Sequence, residues 1–163
     1  MAQMSIATGR AAPKNDSALA FGAGVLLILA ILLSFLPGQA GVPPVDRDEP
    51  RYTQATKQML ETGDYVRIRF QDDARNKKPI GIHWLQALSA KASGLGADAP
   101  LWVYRIPSLL GAMASVLLAL WAARAFLPPP LALTAAVLFG ATIILGVEAR
   151  LAKTDAVLLA TIL

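Results

Sequence analysis

Between Asp46 and Trp84 the sequence reads DRDEPRYTQATKQMLETGDYVRIRFQDDARNKKPIGIHW, the only long polar stretch in the chain. It brings together three carboxylates (Asp46, Asp48, Glu49), the cations Arg51, Lys77 and Lys78, Tyr52, and the single histidine, His83. A carboxylate at the start of a helix can take a proton from an attacking group. A lysine held just before a proline, as Lys78 is before Pro79, is a positioned point charge suited to phosphate. Arg51 and Tyr52 follow Asp48 by three and four residues, and so share its side of a helix. A second acid, Asp155, follows Thr154 where an apolar run begins, and ionisable residues at such places often line a polar site. Each feature also has an ordinary reading. Asp48 and Asp155 both stand where N-caps belong, a role worth about 1 kcal/mol, and Lys77-Lys78-Pro79 reads equally as a solvated turn or a headgroup anchor. His83 has no metal-ligand partner at useful spacing. Gly-rich phosphate loops, serine-nucleophile elbows and zincin motifs are absent.

The elements that must position these residues are mostly apolar. Only 16% of the 163 residues are charged and the mean hydropathy is +0.51, against about 25% charged in soluble domains, so the composition is that of a membrane protein. Without cysteine, disulfides and thiolate metal sites are excluded. The net charge of +4 is interleaved with acids and does not form the basic stripe that tracks nucleic acid; membrane lipids and phosphate-bearing substrates fit it better.

Residues 1–17 read as a polar arm and 18–36 as a first transmembrane helix, about 28 Å long. Gly38-Gln39-Ala40 resembles a signal-peptidase site, but the apolar run exceeds the usual signal core of about 7–15 residues. Residues 37–104 form the long loop. Within it an amphipathic helix is expected over 49–62, capped by Asp48 and closed by Gly63. An extended stretch follows through Val66, Ile68 and Phe70, then a polar turn over 71–76 and a second helix over 80–93 closed by Gly94. Trp84 and Lys91 suit a helix lying on the membrane surface. Further spans are expected at 105–124, flanked by the cations Arg105 and Arg124, and at 131–147 after a Pro128-Pro129-Pro130 turn. A fourth begins at 156, and the chain stops inside that apolar run, as the N-terminal part of a larger membrane protein would.

Two spans separate the long loop from the polar turn Glu148–Asp155, so by parity Asp48, Lys78 and Asp155 face one side of the membrane. Arg10, Lys14 and Arg124 place the arm and the proline turn in the cytoplasm, and hence the loop outside.

With these residues in hand, Asp48-Glu49-Pro50-Arg51-Tyr52, then Met59-Leu60-Glu61-Thr62-Gly63-Asp64-Tyr65, then Lys78-Pro79 and Trp84-Leu85, occur in an order that resembles a known family. It is that of the membrane glycosyltransferases of the GT-C class, which use polyprenyl-phosphate-linked sugars and include the aminoarabinose lipid A transferases and the protein mannosyltransferase-like group. The resemblance runs from about Val45 to Leu163. It implies an all-α, multi-span bundle in the bacterial cytoplasmic (inner) membrane, with amphipathic juxtamembrane helices in its first external loop. It further implies a polyprenyl-phosphate sugar donor and a lipid, glycan or protein acceptor. Asp48 matches the family's essential first-loop acid, Asp155 a second acid of the site, and Lys78 a lysine near the carrier phosphate. Glu49, Arg51, Tyr52 and Lys77 are candidate substrate contacts beside them. Relatives commonly place an acid before Lys-Pro that in some of them helps hold a metal; here Asn76 and Lys77 stand there, which argues against a resident divalent cation, and no other cofactor is implied. The alternative from another class is a non-catalytic membrane module that binds anionic lipid or anchors partners.

Overall fold

The computed structural model describes residues 14–163 apart from 46, 76 and 77, and its regular structure is helical save for one short hairpin. The helices are α1 (Lys14–Ser34), α2 (Asp48–Thr62), α3 (Gly81–Ala92), α4 (Leu101–Ala123), α5 (Pro129–Gly140), α6 (Ile143–Glu148) and α7 (Asp155–Ile162). Strands β1 (Arg69–Phe70) and β2 (Asp73–Ala74) pair antiparallel, with Arg69 opposite Ala74 and Phe70 opposite Asp73. The second strand falls where only a turn was expected. It forms because Gln71 takes a left-handed φ of 57°, and the Gln58 side chain holds it there with two hydrogen bonds, Nε2 to the Gln71 carbonyl (3.1 Å) and Oε1 from its N–H (2.9 Å).

Helix α4 is the axis of the structure, packing on α3, α5, α6 and α7. At 23 residues it spans about 34 Å, and among the described residues it is the one helix long and apolar enough to cross a membrane by itself. Within the residues whose side chains are described, the apolar part of α1 (Phe21–Ser34) and α5 are shorter. Small residues let α7 approach α4 closely: a Cβ added at Gly111 would lie 2.9 Å from the backbone of Ala156 and Val157. Ile28, Phe35, Ala112, Val116, Ala136, Leu145, Ala149 and Ala156 form the main core around this crossing.

The apolar run 131–147, expected as one span, is two helices. Thr142 is the reason. Its backbone is extended (φ −64°, ψ 135°), and its hydroxyl donates back to the Phe139 carbonyl at 2.8 Å, giving the chain a local alternative to helix. The helix before it also starts two residues earlier than expected, at Pro129, because proline is tolerated in a first turn.

The polar segment packs against the N-terminal end of α4. Helix α2 lies on α3 and β1, burying Ala55 and Met59 against Ile68, while α3 in turn lies on α4 through Ala90, Val103 and Tyr104. Gly63 ends α2 as its sequence predicts: at φ 71° its N–H reaches the Met59 carbonyl (3.0 Å).

Candidate functional site

The first turn of α2 divides its two carboxylates between opposite environments. Asp48 is the first helical residue, not the cap; Arg47 holds the cap position in a helical conformation and makes no side-chain capping bond. The expected N-cap is absent because two guanidinium groups take the carboxylate instead. Arg51 Nη1 lies 3.3 Å and Arg75 Nη2 3.6 Å from Asp48 Oδ1, on a half-exposed surface. Such pairs contribute at most about 1 kcal/mol to stability, so the arrangement is better suited to holding a carboxylate in place than to holding the fold together.

Glu49, one residue on, is fully buried. Its Oε1 accepts from Arg105 Nε (2.7 Å) and from the Ala152 N–H (2.9 Å), and its Oε2 accepts from Arg105 Nη2 (3.1 Å). Expected as a substrate contact, this carboxylate is committed inside the protein. Arg105 is equally far from the flanking membrane cation expected of it. It is fully buried, and beyond Glu49 it donates to the carbonyls of Gln39 (2.7 Å), Val42 (2.8 Å) and Pro43 (3.4 Å). All five guanidinium N–H groups therefore have acceptors, as a buried arginine requires. The sequence carried one signal of this role, an arginine inside a run otherwise apolar enough to span a membrane, where a partnered charge is the rule.

The chain from Ala149 to Thr154 is pinned by side chains from four places. Gln39 Nε2 donates to the Ala149 carbonyl (2.8 Å), Gln86 Nε2 to that of Ala152 (3.1 Å), and Ser108 Oγ to that of Lys153 (3.0 Å). Glu49 receives the Ala152 N–H, and Thr154 Oγ1 donates to the Tyr52 hydroxyl at 3.0 Å. Two of these bonds come from α2 itself. The helix that opens with Asp48 is thereby joined directly to the turn that ends in Asp155, the first residue of α7. Asp155 is exposed and Thr154 makes no side-chain cap for α7.

Tyr52 is buried, its ring stacked on His83 with centroids 5.4 Å apart. His83 Nδ1 lies 2.9 Å from Thr56 Oγ1, which is also 3.0 Å from the Tyr52 carbonyl and 2.7 Å from Gln86 Oε1. One hydroxyl proton cannot serve three acceptors, so the cluster favours the Nδ1–H tautomer of His83, with its N–H directed at Thr56. Burial, with the Arg75 charge adding to it, lowers the His83 pKa to about 4. A base depressed in the folded state confers stability that is complete above its unfolded pKa near 6.5 and lost as pH falls toward about 4. We expect the protein to lose at most about 3 kcal/mol of stability over that window, with the loss absent in His83→Asn. Thermal unfolding in detergent at a series of pH values checks this; an identical pH dependence in the variant would assign the effect to other groups.

Lys78 is exposed on the segment between β2 and α3, three residues after Arg75, and has no ion pair among the described residues. Lys77 lies outside the described residues. Of the site residues expected, Asp48, Arg51 and Tyr52 are thus gathered on the first turns of α2, with Asp155 on the turn joined to it and Lys78 on the following loop. Arg75, Gln86, Thr56 and Arg105 were not anticipated. Nothing local marks Arg75; only the return of the hairpin brings it to Asp48. Among the described residues no three His, Asp or Glu side chains converge as metal ligands do.

Over 118 residues the chain is 31% identical to the undecaprenyl phosphate-alpha-4-amino-4-deoxy-L-arabinose arabinosyl transferase of Edwardsiella ictaluri (strain 93-146). The aligned part is 72% of this chain, which spans about a fifth (20%) of the length of that relative. No family model matches the chain, and no solved structure matches it. The likeness supports a glycosyltransferase relationship at a coarse level.

Proposed function

We propose that this chain carries part of the active site of a membrane glycosyltransferase that moves a sugar from a polyprenyl-phosphate carrier to an acceptor outside the cytoplasmic membrane. The observation that carries this reading is the hydrogen-bonded union of the Asp48 helix with the Asp155 turn, through Glu49 with Ala152 and Tyr52 with Thr154. It supports one acidic site built from two separate segments. The relative's own substrate name, undecaprenyl phosphate, suggests the class of carrier. In the reaction the acceptor oxygen attacks the anomeric carbon, the bond from that carbon to the carrier phosphate breaks, and the acceptor proton passes to a carboxylate. Asp48 is that carboxylate on this reading, with Asp155 as the second acid. Lys78, with Lys77, Arg51 and Arg75 near it in the chain or the fold, stabilises the negative charge left on the phosphate. Glu49 and Tyr52 act as positioning residues, since both are buried in the joint. The surrounding fold is proposed to be the multi-span bundle of the GT-C class.

Lys78 supplies the test. In the full-length protein, Lys78→Met should weaken use of the lipid-linked donor by about 1.5–3 kcal/mol, the usual contribution of a hydrogen bond to a charged group. Lys91→Met is the control: Lys91 is exposed on α3 and its ammonium sits 4.5 Å over the Tyr65 ring. Donor KM and turnover are measured for both. Equal small effects would reduce Lys78 to a headgroup anchor and favour a lipid-binding module.

A further inference from the structure

Helices α1, α4 and α5 enclose a slot at the end of α4 away from Asp48. The three meet at Gly140, where Ile31 of α1 and Val116 of α4 leave no room for a Cβ. Helix α1 also touches α5 at Gly24, where a Cβ would stand 3.2 Å from Leu133 Cδ2, but it has no comparable packing on α4. The gap left between α1 and α4 is a cavity of about 620 Å³, within the usual range of ligand sites. Phe21, Val25 and Leu29 line it from one face of α1, and Leu117 and Leu120 from α4. Its one titratable lining residue is Arg124, which follows the last residue of α4. That guanidinium is exposed and makes no hydrogen bond or ion pair among the described residues. Trp121, just before it, is 72% exposed, as aromatic side chains at the level of lipid headgroups are.

We propose that this slot binds an anionic phospholipid, with an acyl chain between α1 and α4 and the phosphate at Arg124. The lining is apolar except for one cation at its end, so an amphiphile with an anionic head uses both parts of it. The α1 wall from Phe21 to Leu32 is about 16 Å long, close to the depth of one leaflet in a hydrocarbon core of about 30 Å. A polyprenyl phosphate has the same chemistry, but its reacting phosphate belongs elsewhere. Helix α3 packs on α4 at Val103, and Arg124 lies about 30 Å further along that helix. A phosphate beside Lys78 is therefore across the membrane from Arg124. The inference shares with the transferase reading only the placing of α4 in a membrane.

The test is lipid binding by delipidated full-length protein in detergent, read by native mass spectrometry with phosphatidylglycerol or with phosphatidylcholine of the same chains. Wild type should hold one phosphatidylglycerol about fivefold or more tightly than phosphatidylcholine. Arg124→Gln should erase that preference and Arg124→Lys should keep it. Val25→Trp, which adds bulk to the slot from an exposed position, should weaken both lipids about tenfold or more. Arg124 is exposed, so the preference can be read even where Val25→Trp disturbs the packing. Equal binding of the two lipids by wild type, as when another helix of the full-length protein fills the slot, would overturn the proposal. So would a preference that survives Arg124→Gln. Polyprenyl phosphate displacing phosphatidylglycerol at equal or lower concentration would give the slot to the carrier instead. Turnover is not measured, so failure here leaves the proposed function standing, and a protein without transferase activity leaves this result standing.

Discussion

Asp48→Asn in the full-length protein should lower turnover by roughly 10²–10⁴ when the acceptor is a hydroxyl, the usual contribution of a positioned general base. The substitution is nearly isosteric and removes charge and basicity. Its structural cost should be small, because Asp48 makes no capping bond and its pairs with Arg51 and Arg75 are surface pairs worth at most about 1 kcal/mol. Expression and thermal midpoint should therefore match wild type while transfer collapses. If the acceptor is a phosphate, its oxygen is already anionic and little base catalysis is needed. Asp48→Asn would then act mainly by freeing Arg51 and Arg75 to bind anions, raising product affinity more than it slows chemistry. Single-turnover measurement separates the two, since a lost base slows the bond-forming step itself. Near-normal turnover by Asn, with a drop only in Asp48→Ala, would mean that Asp48 has a purely structural role.

The second large effect concerns stability. Arg105→Met should destabilise the protein by about 3–5 kcal/mol, the cost of breaking a buried ion pair from one side. It strands Glu49 without its counter-charge and leaves the carbonyls of Gln39, Val42 and Pro43 without their donor. Arg124→Met is the matched control, because Arg124 flanks the other end of α4 and is exposed; it should change stability by no more than about 0.5 kcal/mol. Pairing Arg105→Met with Glu49→Gln should recover part of the loss, since the double variant buries no net charge. The read-out is thermal unfolding of the detergent-solubilised full-length protein, followed by a double-mutant cycle. Equal, small effects at 105 and 124 would return Arg105 to the role of a membrane flank. The same joint ties the Asp48 helix to the Asp155 turn, so partly stable variants should also lose transfer activity.

What could be read along the chain is what neighbours within about four residues decide. Pro50 and Gly63 bound α2, Gly94 closes the turn after α3, and the apolar run of α4 needs no partner to be helical. The residue types of the site were also visible there; that the Asp48 helix meets the Asp155 turn is decided by the hydrogen bonds of Glu49 and Tyr52. Which carboxylate would be free was not visible. Asp48 and Glu49 are adjacent and chemically alike, yet one faces solvent and the other is sealed in by Arg105, 56 residues away, and by Ala152, 103 residues away. Local rules have no term for partners at that separation. The same holds for Arg75, carried to Asp48 by a hairpin whose bend depends on Gln58, and for Thr142, whose one hydroxyl interrupts a run that hydrophobicity alone would make continuous. A buried charge must find a complementary partner or not be buried, and only the packing of α2 against α4 and the 149–154 turn settles which charge that is.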